Sequence, residues 1–165
     1  MEYLWAPWRM AYIKQALNKE RGCILCEKPG QSSDEANLIL YRGNFNFVVM
    51  NAFPYNSGHL MIAPFAHLAQ LSLLDDAARH EHIDLVARCA DILKSIMKPA
   101  GFNIGLNLGR IAGAGVDQHM HTHIVPRWEG DTNFMPVLAD TKVVNEAIAD
   151  TYHLLKPEFE KIIAI

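Results

Sequence analysis

The order of the elements predicted from this sequence favours an α+β fold. Alternating apolar and polar residues predict strands in two separate regions of the chain, and a long stretch of helical periodicity lies between these regions. The predicted order is a short helix, strands, one long helix, strands and a final helix, which differs from the repeated strand-helix-strand unit of parallel α/β folds. A cluster of turn-forming residues between the first two strands also predicts an antiparallel pair.

The first predicted strand pair lies on either side of this turn. Apolar and polar side chains alternate along residues 44–49, and a second apolar run covers residues 59–64. Residues 51–58 join the two runs and contain asparagine, proline, serine and glycine, all of which favour turns.

One long helix is predicted after this strand pair. Ser72 and Asp75 have the spacing of a capping box, and Pro99 and Gly101 end the helical pattern. Between these limits the apolar positions recur at steps of three and four residues: Ile83, Val86, Ala87, Ala90, Leu93 and Met97.

The second half of the chain predicts two more strands around a glycine-rich loop. Residues 102–107 and 118–126 have strand patterns, and residues 109–115 form the loop between them. We expect the functional site where this loop meets the second of these strands. Helical spacing then returns in the final segment, at Val144, Ile148, Tyr152 and Leu155.

The composition predicts one soluble domain and excludes several classes of partner. Half of the 165 residues are apolar and a fifth are charged, which is ordinary for a globular protein. The formal charge of −3 provides no positive field for nucleic acid or an anionic membrane. The longest uncharged segment, residues 44–74, is interrupted by proline and glycine, so no transmembrane helix is predicted. The N-terminus resembles no signal peptide and the number of cysteines is odd, so we expect a cytoplasmic protein with reduced thiols.

Three histidines, His119, His121 and His123, alternate along the strand predicted over residues 118–126. Alternate side chains on a strand share a face about 6.5 to 7 Å apart, so the outer two would lie about 13 Å apart. Zinc binds imidazole at about 2.0 to 2.1 Å, so one ion cannot hold all three without a break in the strand. The three are therefore expected to have different roles. Neutral imidazole is also a competent nucleophile toward phosphorus.

Several segments resemble the histidine triad (HIT) superfamily of nucleotide hydrolases and transferases. They are the run His119-Met120-His121-Thr122-His123, the preceding Asn107-Leu108-Gly109 and the upstream Ser57-Gly58-His59-Leu60. Two further segments resemble the bacterial branch of diadenosine tetraphosphate phosphorylase-like proteins: Leu4-Trp5-Ala6-Pro7-Trp8-Arg9 and residues 126–136. The resemblance covers nearly the whole chain.

The resemblance implies a HIT-like fold and a single domain. The implied fold has an antiparallel sheet of about five strands, one long helix and additional N- and C-terminal helices. The domain would span residues 1–165, with an N-terminal extension over 1–35 that carries the Cys-x-x-Cys pair and a helical C-terminal extension over 137–165.

The resemblance also implies an activity. The enzyme would act on diadenosine polyphosphates, such as diadenosine tetraphosphate, or related nucleotidyl compounds through a covalent nucleotidyl-histidine. His121 would attack the α-phosphorus, His123 would contact the phosphate oxygens, and His59 would orient or polarise the nucleophile. The positions that match the family's nucleotide-binding residues are Asn51 for the ribose and, for the phosphate, Asn107 and the backbone from Gly113 through Gly115 to Val116.

The sequence departs from the family pattern at two places. Thr122 replaces the usual apolar residue between the second and third histidines, and its side chain is expected to point away from the site. Gly115 and Val116 occupy a stretch in which many relatives carry a serine that donates to phosphate. Backbone amides are therefore expected to be the phosphate donors of the loop.

The pair Cys23 and Cys26 allows three interpretations from the residues alone: a redox pair, half of a zinc site, or two small buried side chains. The sequence predicts no helix start in a strand-helix-strand setting near residue 23, where a redox pair is usual. The HIT resemblance implies a closed, structural zinc site formed by Cys23, Cys26, His67 and His119. No organic cofactor is expected.

The remaining histidines, cysteine and tryptophans have expected structural roles. Cys89 falls within the long helix and is expected to be a buried small side chain. Three histidines lie on predicted helices among charged residues and are expected to be solvated: His80, His82 and His153. The tryptophans are expected to anchor terminal segments or a dimer interface, with a base pocket as the alternative: Trp5, Trp8 and Trp128.

Three functional hypotheses stay open at the level of sequence. The first is the HIT enzyme described above, with either water or inorganic phosphate as the second acceptor. The second is a zinc-dependent hydrolase in which two strand histidines bind a catalytic metal. The third is a nucleotide-binding HIT protein, without turnover or with phosphoramidase activity. The resemblance further implies a homodimer whose sheets join edge to edge, or a tetramer.

Overall fold

The structure, a computed structural model, describes residues 22–131 and 147–162 and confirms the α+β class. Within these ranges the strands are β1 (Ile39–Arg42), β2 (Asn46–Met50), β3 (Leu60–Pro64), β4 (Gly101–Leu106) and β5 (Thr122–Arg127). The α-helices of the same ranges are α1 (Ile24–Glu27), α2 (Asp34–Asn37), α3 (Asp76–Met97) and α4 (Ile148–Glu160). The five strands form one sheet in the order β1-β2-β3-β5-β4, and every neighbouring pair is antiparallel.

The two faces of the sheet have different roles because side chains alternate along each strand. One face packs against α3 and α4 in the main core, where Val48, Ile62 and Ile124 meet Leu85 and Leu155. The opposite face holds a smaller cluster at the β2 and β3 end, formed by Leu25, Ile39, Phe47, Val49 and Ala63. On that same face, Met61 of β3 and Gly105 of β4 flank His123 of β5.

The long helix α3 is confirmed, but its N-cap and its buried stripe differ from the prediction. Asp75 caps the helix by accepting the amide of Ala78 at 2.7 Å, whereas Ser72 lies in a 3-10 helix over Leu71–Leu73. Ile83 is 56% exposed. The stripe that enters the core is shifted, with Leu85, Cys89 and Leu93 fully buried, which confirms the expected burial of Cys89.

The observed strands differ from the predicted ones at three places, one of which is β2, predicted over 44–49 and observed over Asn46–Met50. The strand predicted from residue 118 begins only at Thr122, because the Met120 amide donates to the carbonyl of Leu68 and lies outside the sheet ladder. The alternation pattern missed β1, whose run of Ile39 and Leu40 is buried on both faces. The predicted strands at 59–64 and 102–107 are confirmed to within one residue.

The C-terminal helical pattern is confirmed where the structure describes it. Tyr152 and Leu155 of α4 are buried against the sheet, while Val144 lies outside the described residues. Trp5 and Trp8 also lie outside the described ranges. Trp128 is half-buried and donates its indole N–H to the carbonyl of Met97. Among the residues that the structure describes, no helix is long and apolar enough to cross a membrane.

Candidate active site

Three histidine rings meet on the open face of the sheet. His59 precedes β3, and the antiparallel pairing of β3 with β5 brings it beside His123. Nε2 of His59 lies 2.9 Å from Nδ1 of His123, and their ring centroids are 5.1 Å apart. The ring of His121 lies edge-on to that of His123, with centroids 4.7 Å apart. The structure therefore brings the three predicted histidines together, with His59 in contact with His123, and the rings of His121 and His123 are closer than the about 6.5 to 7 Å expected along a regular strand.

The hydrogen bonds of His59 and His123 define a direction for the proton between them. The backbone amide of Tyr55 can only donate, and it lies 3.1 Å from Nδ1 of His59. Neutral His59 therefore carries its proton on Nε2 and donates it to Nδ1 of His123. Neutral His123 in turn carries its proton on Nε2. His59 is thus the donor and His123 the acceptor of the hydrogen bond between them.

His121 has the opposite tautomer, with the lone pair on Nε2. Its Nδ1 lies 3.0 Å from the carbonyl oxygen of His119, which can only accept, so the proton is on Nδ1. The side chain is buried, with 6% of the residue exposed, and this burial lowers the pKa of the imidazole. His121 is therefore neutral near pH 7, and Nε2 keeps the lone pair that a nucleophile needs.

The neighbouring strand β4 leaves space beside these rings. Gly105 pairs with His123, and a Cβ added at Gly105 would meet no atom within 4 Å. Asn107 follows β4 directly and is half-buried. Leu106, the last residue of β4, pairs with Thr122, so Asn107 lies where the chain leaves the ladder, near the segment that ends at His121. A substrate phosphate could therefore approach the histidines past β4.

The glycine-rich loop between β4 and β5 is built around a 3-10 helix over Arg110–Ala112. Gly113 ends this helix in the left-handed region, with φ of 90°, and its amide donates to the carbonyl of Arg110 at 2.9 Å. Gly115 is exposed, and Val116 packs against the small cluster around Phe47. An open groove of about 670 Å³ borders the loop but includes none of the three site histidines; it is lined by Ala69, Gln70, Leu71, Ser72, Arg79, Leu108, Gly109, Asp117 and Gln118.

Asn51 lies at the back of His59. Its side-chain oxygen accepts the amide of Phe53 at 2.9 Å, and its Nδ2 lies 3.4 Å from Nδ1 of His59. The ring of Tyr55 stacks at a tilt on His59, with centroids 4.7 Å apart. Sequence reasoning did not single out Tyr55, although its place in the turn before His59 was a usable signal.

The predicted zinc ligands form a cluster apart from the three site histidines: Cys23, Cys26, His67 and His119. Their four ligand atoms lie within 4.8 Å of one another. Nδ1 of His119 is 3.3 Å from Sγ of Cys23 and 3.4 Å from Sγ of Cys26, while Nδ1 of His67 is 3.3 Å from Sγ of Cys26. Tetrahedral zinc with nitrogen and sulfur ligands separates its ligand atoms by about 3.3 to 3.8 Å, so these residues fit that ion.

The protonation of His119 also suits a metal ligand. Its Nε2 donates to the carbonyl of Pro64 at 2.8 Å, which leaves the Nδ1 lone pair facing the two sulfurs. Cys23 is the N-cap of α1 and Cys26 lies in that single turn, which is followed by α2 and not by the strand of a strand-helix-strand unit. The turn directs both sulfurs toward the histidines.

The prediction that His82 is solvated was wrong. His82 is fully buried in α3 and lies 2.7 Å from Oγ1 of Thr122 and 3.0 Å from Oδ1 of Asn46. Burial lowers its pKa to about 4, so the side chain is neutral. His80 and His153 are exposed, as expected. Thr122 also points away from the site histidines, as expected, toward α3.

The sheet, its helix-covered face and the opposite histidine cluster place the chain in a known class. A protein-family model described as HIT domain matches residues 33–130, and the chain belongs to the HIT family. It is 36% identical over 168 residues to a protein named AP-4-A phosphorylase from Mycobacterium tuberculosis, covering 98% of this chain and 86% of that protein.

Solved structures show the same fold. A zinc-bound histidine triad family protein from Mycobacterium smegmatis superposes with a TM-score of 0.67 at 20% identity, covering 85% of this chain and 94% of that one. A hypothetical histidine triad nucleotide-binding protein from Sulfolobus tokodaii also gives a TM-score of 0.67, at 22% identity, covering 84% of this chain and 92% of that one.

Proposed function

We propose that this protein is a nucleotidyl enzyme that cleaves diadenosine polyphosphates, such as diadenosine tetraphosphate, through a covalent nucleotidyl-His121. The observation that carries the proposal is the buried, neutral His121 with its lone pair on Nε2, whose ring lies edge-on to His123, which in turn accepts a hydrogen bond from His59. The similarity to the mycobacterial AP-4-A phosphorylase supports the substrate class.

In the first step, Nε2 of His121 forms a bond to the α-phosphorus as the bond from that phosphorus to the bridging oxygen breaks. The electron pair of the broken bond leaves with the remaining nucleotide, which is ATP when the substrate is diadenosine tetraphosphate. The imidazole becomes cationic on attack, and the His119 carbonyl, which accepts from Nδ1, stabilises that charge. His123 donates from Nε2 to a phosphate oxygen on which negative charge develops.

In the second step, an acceptor oxygen attacks the same phosphorus and the nitrogen-phosphorus bond breaks. The electron pair returns to Nε2 of His121, which restores the neutral imidazole. Inorganic phosphate as acceptor yields ADP, and water yields AMP. We propose phosphate, because the relative with 36% identity over nearly the whole chain is named a phosphorylase.

The remaining site residues would bind the nucleotide. We assign the phosphate to His123, Asn107 and the backbone of Gly113, Gly115 and Val116. The amide of Gly113 donates within the loop, so it would have to change partner when phosphate binds, whereas Gly115 lies exposed at the tip. We assign the ribose to Asn51, whose amide lies behind His59.

We propose that zinc, where bound, is structural and is held by Cys23, Cys26, His67 and His119. Four protein ligands would close its coordination shell and tie α1 to β3 and to the segment before β5. The competing hypothesis of a catalytic metal on two strand histidines is disfavoured, because His119 faces the cysteines, Nδ1 of His121 donates to a backbone carbonyl and Nδ1 of His123 accepts from His59.

The assembly and location are also proposals. We propose a cytoplasmic homodimer in which β4 of two subunits pairs edge to edge. β4 is an edge strand of the sheet, and Ile104 on it is 47% exposed. Two such dimers could make a tetramer. We further propose that residues 1–165 act as one domain, with extensions over 1–35 and 137–165 around the HIT core.

Product analysis with diadenosine tetraphosphate tests the proposed function. The pure protein is incubated with the substrate with and without inorganic phosphate, and the nucleotides are separated. ADP plus ATP that form only with phosphate support phosphorolysis, and AMP plus ATP in both reactions would mean hydrolysis. If neither pair forms while adenosine phosphoramidates are cleaved, the dinucleotide substrate is wrong and the phosphoramidase alternative holds.

A further inference from the structure

A chain of buried polar side chains runs from α3 to β5 on the face of the sheet opposite the site. Oγ1 of Thr122 lies 2.7 Å from Nε2 of His82, Nδ1 of His82 lies 3.0 Å from Oδ1 of Asn46, and Nδ2 of Asn46 lies 2.8 Å from Glu81. The four residues are at most 5% exposed. Such a network is costly to bury unless every member is satisfied.

Each hydrogen bond in this chain has a defined direction. The Glu81 carboxylate can only accept, and it receives the backbone amides of Asn44, Phe45 and Asn46 at 2.6 to 2.8 Å. Nδ2 of Asn46 donates to Glu81 and to the carbonyl of Ala78, so Oδ1 is the acceptor. Nδ1 of His82 therefore donates to Asn46, and Nε2 of His82 must accept the hydroxyl proton of Thr122.

The end of this chain lies between the two catalytic histidines. Thr122 is the first residue of β5, with His121 before it outside the ladder and His123 after it. Thr122 pairs with Ile62 on one side and Leu106 on the other, so it is where the irregular segment 119–121 joins the sheet. The Thr122 hydroxyl donates to Nε2 of the buried His82, and this bond fixes the rotamer of Thr122. The fixed side chain in turn holds the backbone that carries both rings.

We propose that Glu81, Asn46, His82 and Thr122 are positioning residues that hold His121 and His123 in register for nucleotidyl transfer. The expected effect on kcat rests on the proposed function. The expected change in the geometry of the His59–His123 pair does not depend on it. Removing the Thr122 hydroxyl should loosen the start of β5 and leave Nε2 of His82 buried without a donor. The rings should then lose their relative orientation although the fold persists.

Two variants of Thr122 separate the hydroxyl from the side-chain volume. Thr122→Val keeps the branched shape without the hydroxyl, and Thr122→Ser keeps the hydroxyl. We expect Thr122→Val to lower kcat about 10-fold or more with little change in KM, and Thr122→Ser to retain most of the activity. The control Tyr152→Phe removes another buried hydroxyl, which bonds the carbonyl of Ile39, and should lower the melting temperature without changing kcat.

A measurement without substrate keeps the inference independent of the proposed function. The imidazole nitrogen chemical shifts of His59 and His123, recorded at one pH, should change in Thr122→Val and be restored in Thr122→Ser. A second pair serves if Thr122→Val does not fold: His82→Leu should change the shifts, and His82→Gln, whose amide oxygen can still accept the Thr122 hydroxyl near the Nε2 position, should change them less. Unchanged shifts in Thr122→Val, or equal effects of Val and Ser, would overturn the inference. A wild-type protein without turnover would overturn the proposed function. The nitrogen chemical shifts would still test whether Thr122 and His82 position the site histidines.

Discussion

At the scale of single residues, backbone atoms select which nitrogen of each site histidine carries the proton. The carbonyl of His119 holds the proton on Nδ1 of His121, and the amide of Tyr55 holds it on Nε2 of His59. The carbonyl of Pro64 likewise turns Nδ1 of His119 toward the cysteines. The three rings of one histidine-rich segment therefore differ in tautomer, because His119 and His121 bond different backbone carbonyls and His123 accepts from the side chain of His59, and this difference supports the three roles proposed for them.

The His59–His123 bond gives the first prediction. His59→Gln can still place an N–H donor near Nδ1 of His123, whereas His59→Asn keeps only the acceptor for the Tyr55 amide. We expect kcat to fall about 100-fold in His59→Asn and much less in His59→Gln. Steady-state kinetics on both variants, with the exposed His80→Asn as a control, check this ranking. Equal losses in the two His59 variants would show that the donor to His123 is unimportant.

At the scale of elements, the periodicity of the sequence predicted helices and turns that depend on local pattern. It missed strand bounds and buried side chains that depend on tertiary contacts. The helix α3 and the turn between β2 and β3 follow from spacing alone. The late start of β5 could not be predicted, because a tertiary bond from the Met120 amide to Leu68 removes residues 119–121 from the ladder. His82 was misjudged because its buried partners, Asn46 and Thr122, come from two other elements. The site residues were selected by family motifs, since a spacing of two residues does not reveal tautomers.

The glycine of β4 opposite His123 gives a prediction for an element. A side chain at Gly105 would project into open space on the face of the site histidines, and no positive φ makes the substitution strained. Gly105→Leu should fold but reduce kcat/KM by about 100-fold or more, because the side chain would occupy the approach to His123. Gly101→Leu, in the same strand and opposite Arg127, is the matched control and should keep normal kinetics. Normal kinetics in Gly105→Leu would mean that substrate approaches from elsewhere.

At the scale of the whole molecule, two polar clusters apart from His59, His121 and His123 join the sheet to neighbouring segments. The Cys and His cluster joins the N-terminal turn to β3 and the segment before β5. The Glu81 to Thr122 chain joins α3 to β2 and β5. Because of these two clusters, the free energy of unfolding should depend on zinc and on pH, whereas the stability of an apolar core would not.

Removal of zinc gives a prediction at this scale. A chelator should lower the melting temperature by about 10 °C, equivalent to about 4 kcal/mol, and should spare turnover at temperatures where the protein stays folded. Cys26→Ser should lose the bound zinc, whereas Cys89→Ala, in the helix core, should keep it. Metal analysis and calorimetry check both variants. If chelation abolished turnover in the folded protein, the metal would be catalytic.

Acid should destabilise the fold through His82. Burial lowers the pKa of His82 from 6.5 to about 4, so between these values the unfolded chain binds a proton that the folded chain does not. Stability is therefore lost as the pH falls from about 6.5 toward 4, by about 2 kcal/mol between pH 7 and pH 5 from this residue. Urea unfolding at both pH values should show a drop in stability that is smaller by this amount in His82→Gln. An identical drop in the variant would mean that other groups cause the acid sensitivity.

The most direct test of the account is the capture of the covalent intermediate. Acid-free quenching of the enzyme during turnover of diadenosine tetraphosphate, followed by peptide mass spectrometry, should show an adenylyl group on His121. The adduct should be absent in His121→Ala, together with turnover, and should accumulate when inorganic phosphate is omitted. Full turnover in His121→Ala, or an adenylyl group on a different residue, would contradict the assignment of His121 as the nucleophile.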